Sequence, residues 1–135
     1  MAKDAPDGVK LIQTTIIVEN EPIIPQEASE FVIDTYGTYS GNSSSAQDLF
    51  NRTVPSSRKG ILEEIELSTD NYDVATWYIE VKGVVVLNWE KLPESFTKRL
   101  PMLELKAAQQ VLVQVKSDGA TTINAYCDVS YKEVG

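Results

Sequence analysis

Along the second half of the chain apolar side chains recur at every second position, and that period sets the first expectation. In Thr76-Trp77-Tyr78-Ile79-Glu80-Val81-Lys82, Trp77, Ile79 and Val81 share one face while Thr76, Glu80 and Lys82 share the other. A period of two belongs to a half-buried strand, because successive Cβ atoms leave opposite faces of a pleated backbone. Ile123, Ala125, Cys127, Val129 and Tyr131 alternate in the same way with Thr122, Asn124, Tyr126, Asp128, Ser130 and Lys132. Val111 to Lys116 predicts another strand. Gly60 to Leu67 predicts a further one, with Ile61, Ile65 and Leu67 inward and Glu63 breaking the alternation, although Glu and Leu are also good helix formers.

Turn chemistry divides these runs. Lys82-Gly83 is placed to reverse the chain into Val84-Val85-Val86-Leu87, since glycine accepts the positive φ of hairpin turns; a continuous strand with a glycine bulge is the rival reading. Asp118-Gly119 is the strongest turn signal and predicts a hairpin between residues 111–116 and the run from Thr121 to Lys132. Residues 92–101 are bracketed by prolines and predict a long crossover, with Pro93 placed to open one helical turn. Met102 to Ala108 either extends that crossover or begins the next strand. Residues 30–39 have strand composition, whereas 40–45 and 55–60 read as polar loops.

The first third differs. Val9 to Val18 is a plausible strand, but Glu19 to Glu27 carries Pro22 and Pro25 around Ile23 and Ile24. Proline removes ladder donors, so this stretch predicts an extended arm whose isoleucines need an outside surface. The expected organisation is a strand and arm over residues 1–29 and a β domain over 30–135. Short strands and turns rich in Gly, Asp and Ser make the expected fold all-β, an antiparallel β-sandwich or jelly roll with an extended N-terminal arm.

Charge narrows the partners. The net charge is −8, with 12 basic against 20 acidic residues, which argues against nucleic acid because phosphate neutralisation needs clustered Lys and Arg. Residues 1–35 hold seven of the acids against Lys3 and Lys10, a solvated acidic end or one that docks on a basic surface. No apolar run approaches a membrane span, and the N-terminus lacks the plan of a signal peptide. Cys127 is the single cysteine, so no internal disulfide forms, and its apolar face makes it a buried, inert thiol. The sequons at Asn42 and Asn51 then read as chance matches.

Candidate chemistry is sparse. The chain has no histidine, which removes Ser-His-Asp and Cys-His nucleophiles and most zinc sites. Glu63, Glu64, Glu66, Glu80 and Glu90 suit paired-carboxylate glycosidase chemistry by residue type alone, but Glu64 and Glu66 alternate with apolar residues as a solvated strand face does. Thr69-Asp70-Asn71-Tyr72-Asp73 clusters oxygen atoms but lacks the glycine and distal Glu of an EF-hand loop, and the glycines are too scattered to cradle phosphate. The expectation is no enzyme, no cofactor and no metal. Trp77 and Tyr131 read as core, whereas Tyr72, Tyr78, Trp89 and Tyr126 are candidates for a partner or ligand surface.

The stretch from Gly60 to Glu133 resembles, in layout, small β-sandwich proteins of tailed bacteriophage particles. Its elements are a Gly-Ile-Leu-Glu-Glu-Ile-Glu-Leu strand, a Trp-Tyr-Ile-Glu-Val-Lys-Gly hairpin, a proline-bracketed crossover and a closing pair ending Val-Ser-Tyr-Lys-Glu. The resemblance covers just over half the chain and carries no diagnostic motif. It implies a capsid decoration or minor head or tail protein, a homo-oligomer or lattice-bound, located in the virion, whose arm lies along a neighbour. Pro22, Ile23, Ile24, Pro25, Tyr72 and Trp89 are then the partner-binding candidates. The alternative expectation is a carbohydrate-binding module that uses exposed aromatics.

Overall fold

The computed structural model describes residues 30–135. They form nine strands: β1 (Glu30–Phe31), β2 (Tyr36–Gly41), β3 (Gln47–Thr53), β4 (Lys59–Thr69), β5 (Thr76–Val81), β6 (Val84–Glu90), β7 (Phe96–Leu105), β8 (Gln110–Lys116) and β9 (Ile123–Val134). All pairings are antiparallel. The expected strand at Val9 to Val18 and the arm at 19–27 lie outside the described residues.

Pairing runs outward from one turn. At Lys82-Gly83 the φ angles are 55° and 80°, the double positive φ of a tight hairpin, and β5 folds back on β6. Beyond that apex β4 pairs β7, β3 pairs β8 and β2 pairs β9, so the chain forms one long hairpin. The hairpin rolls up because β9 also pairs β4 and β5 also pairs β8. Two sheets result, ordered β2-β9-β4-β7 and β3-β8-β5-β6, with β1 extending the first along β9. This is the strand order of a jelly roll, and it satisfies the expected all-β sandwich.

The alternating residues fill the space between the sheets. Trp77, Ile79 and Val81 stand beside Val115, Val113 and Val111 in the four-stranded sheet, and the other sheet contributes Leu62, Ile65, Leu67, Ile123, Ala125 and Cys127, all buried. Where β2 crosses above β3, a Cβ on Gly37 would run into the backbone carbonyl of Leu49, so only glycine fits that approach.

Four expectations are corrected. Asp118-Gly119 turns the chain but makes no hairpin, because β8 and β9 belong to opposite sheets; the Asp118 carboxylate accepts from the Ala120 and Thr121 N–H groups (2.8 and 2.7 Å) and shapes an arch between layers. The crossover expected at 92–101 is shorter and holds no helical turn: residues 91–95 carry the chain from β6 in one sheet to the other, and from Phe96 it is β7, an edge strand. Pro101 fits there because the ladder with β4 is interrupted between Arg99 and Leu103, where Met102 has φ 49°. In β4 Leu62, not Ile61, points inward. Leu62 opposes Tyr131 and Glu64 opposes Ser130, so Glu63 is the extra residue of a bulge that resets the alternation. The expected loop at 40–45 begins two residues late, since Ser40 and Gly41 finish β2, and β3 was not foreseen.

Candidate functional site

Of the expected contact residues, Pro22, Ile23, Ile24 and Pro25 lie outside the described residues. Tyr72 sits in the β4–β5 loop, half-buried against the core, and its hydroxyl accepts from the Thr69 N–H at 3.3 Å. Trp89, at the end of β6 with φ 54°, is half-buried and stacked on Tyr78 at 5.3 Å between ring centroids and 26° between planes. Lys116 Nζ lies 4.2 Å from the Trp89 ring centroid, a cation–π contact. Tyr72 and Trp89 thus each already have partners within the fold.

The Thr69–Asp73 segment is likewise occupied by its own structure. Asp70 accepts from the Asn124 backbone N–H (2.9 Å) and side-chain amide (2.8 Å), hydrogen bonds that hold its pKa below the ordinary carboxylate value. Among the described residues no group of three or more His, Cys, Asp or Glu is arranged to hold a metal ion. No helix among them is long and apolar enough to cross a membrane.

The densest electrostatic arrangement is one the sequence did not signal. Glu133, on β9, is fully buried. Arg52 from β3 grips it through two bonds, Nε to Oε2 at 2.7 Å and Nη2 to Oε1 at 2.8 Å, while Arg58 Nη1 donates to Oε1 at 3.0 Å. The Tyr131 hydroxyl donates to Oε2 at 2.6 Å. Above all the Arg52 bonds, helped by Tyr131 and Arg58 and opposed by burial, pull Glu133 down to about 2. Burial first, then the bond to Glu133, raises Tyr131. Arg58 also lies 3.5 Å over the Phe31 ring, and Lys132 Nζ meets Glu30 Oε2 at 3.3 Å. Arg58 and Lys132 thus hold β1 against the sheet.

A second unforeseen feature lies on the outer face of the five-stranded sheet. Tyr36, Glu66, Leu67, Ser68, Ser95, Tyr126 and Asp128 line a shallow cleft of about 350 Å³. Strand register explains the grouping: Asp128 stands between Tyr36 and Glu66, and Tyr126 between Thr38 and Ser68. Tyr36 is 56% and Tyr126 39% exposed. The polar-face position of Tyr126 was legible in the alternation of β9; Tyr36, Glu66 and Asp128 join it through pairings that span the chain. Cys127, behind this face, is buried, and burial, with a smaller push from Asp128, raises its thiol to about 12.

The chain matches no protein-family model and none of the curated protein sequences.

Proposed function

We propose that this protein is a non-enzymatic structural component that docks onto an assembly of other protein subunits, in its most specific form a virion accessory protein. The observation that carries the reading is the clamp on β1. Glu30 and Phe31 pair with Val134 and Glu133, and Arg58 covers Phe31, so β1, which follows residues 1–29 directly in sequence, is fixed on the sheet. A segment joined to it, with Ile23 and Ile24 between prolines, suits reaching a neighbouring subunit's sheet edge or surface. Jelly rolls serve in viral capsids and also in lectins, so the fold supports this role by analogy alone.

The test is native mass by light scattering, together with co-sedimentation on purified particles, for the full chain and for a form lacking residues 1–28. Loss of assembly or docking with the β domain still folded is the expected result. Undiminished docking of the truncated form sinks the arm-based reading. A carbohydrate-binding role is the second reading, motivated by the exposed Tyr36 and Tyr126. It predicts a monomer whose thermal stability rises with oligosaccharides, and a flat response across a broad panel counts against it.

A further inference from the structure

Polar groups on the outer faces of the roll mostly have partners, as Glu64 does in Arg99 at 3.9 Å on the five-stranded sheet. On the four-stranded sheet they satisfy one another: Gln114 Nε2 donates to Asp48 at 2.7 Å, Gln110 Nε2 to Asn51 at 2.6 Å, Asn51 Nδ2 to Asp48 at 3.1 Å, and the Tyr78 hydroxyl to Glu80 at 2.6 Å. On the five-stranded sheet, the side chains of Tyr36, Glu66, Tyr126 and Asp128 form no hydrogen bond or ion pair with one another or with any other described residue. Yet Glu66 and Asp128 are direct cross-strand partners. Like charges opposite each other destabilise a sheet, and among the described residues no cation lines the cleft to offset them.

We propose that this face docks a different protein that presents an arginine or lysine, seated on Glu66 and Asp128 with Tyr36 and Tyr126 beside it. Carboxylates receive a guanidinium through charge-assisted bonds, and exposed tyrosine rings add cation–π attraction to the same group. Charge complementarity selects among occupants. Residues 1–29 of this chain hold five carboxylates (Asp4, Asp7, Glu19, Glu21, Glu27) against Lys3 and Lys10, so they are a poor match for an acidic face. A second copy, with net charge −8, is no better. A basic surface on another protein fits both the charge and the aromatic pair. The proposal rests on the assembly reading for the partner being a protein subunit, and it adds the chemistry by which that subunit is recognised.

The experiment is an amide NMR titration of the full-length chain with a blocked peptide containing two arginines, beside the same peptide with neutral citrulline in their place. Saturable shifts centred on Ser68, Tyr126 and Asp128 are expected, weakening with salt, with the citrulline peptide binding about tenfold more weakly or worse. The exposed-site variants Glu66→Gln with Asp128→Asn, and separately Tyr36→Ala with Tyr126→Ala, should each lose the response while remaining folded. Shifts spread evenly over carboxylates elsewhere, equal binding of the citrulline peptide, or no binding at all overturns the proposal. So does movement of the same resonances by oligosaccharides but not by arginine, which reassigns the cleft to glycans. Because the titration reads the cleft directly, its failure is distinguishable from failure of the arm truncation to abolish docking.

Discussion

Replacing Glu133 by Gln removes the negative charge that Arg52, Arg58 and Tyr131 share while keeping the shape of the side chain. The carboxyl falls from an ordinary 4.5 to about 2 in the fold, a difference equivalent to about 3 kcal/mol of stability when ionised. Breaking a buried pair by deleting one partner costs about 3–5 kcal/mol in general. Here the two guanidinium side chains are 31% and 28% exposed and can turn to water, so the low end, about 3 kcal/mol, is the expected loss at neutral pH. The folded pKa is depressed, so this contribution is fully present above 4.5 and disappears as pH falls toward 2, with about 2 kcal/mol already gone near pH 3. Urea unfolding of parent and Glu133→Gln, followed through the fluorescence of buried Trp77, should therefore show two curves that differ most near neutrality and converge in acid. A variant within about 0.5 kcal/mol of the parent at neutral pH, or a gap that does not shrink on acidification, refutes the reasoning.

Two further outcomes follow from packing. Cys127, buried and raised to about 12, should resist thiol reagents in the native state and react at the unfolded rate once urea opens the roll; prompt labelling of native protein would show that β9 is not held as described. Gly37→Ala should cost about 2–3 kcal/mol, measured by the same unfolding assay, because its methyl meets the Leu49 backbone, which cannot swing away as a side chain can; a loss under about 0.5 kcal/mol would mean that β2 and β3 separate freely.

What the sequence disclosed depended on whether a strand kept its alternation. β5 and β9 alternate without interruption through most of their length, and their inward residues were legible one by one. β3 was not, because a register shift between Asp48 and Phe50 leaves Leu49 and Phe50 both buried, which erases the period of two. β7 hid behind Pro101, a residue that argues against a central strand but not against an edge one. Asp118-Gly119 supplied the turn chemistry, yet nothing local distinguishes a turn within a sheet from an arch between two. Glu133 and Arg52 carried no local signal either: 81 residues separate them, and only the roll brings them within 2.7 Å. The cleft is of the same kind, since its tyrosines and carboxylates come from β2, β4 and β9.

The nested pairing around Lys82-Gly83 also bears on how the molecule comes into being. A ribosome delivers β6 directly after β5, then β7 for β4, β8 for β3 and finally β9 for β2, so each newly made strand meets a partner already waiting, in order of increasing loop length. The last to arrive, β9, stands at the middle of its sheet and carries Glu133. Until residues 123–134 have been synthesised, β2 and β4 each lack that neighbour and the arginine pair lacks Glu133. A chain interrupted before residue 123 would thus expose unpaired strand edges of the kind that chaperones and proteases act on.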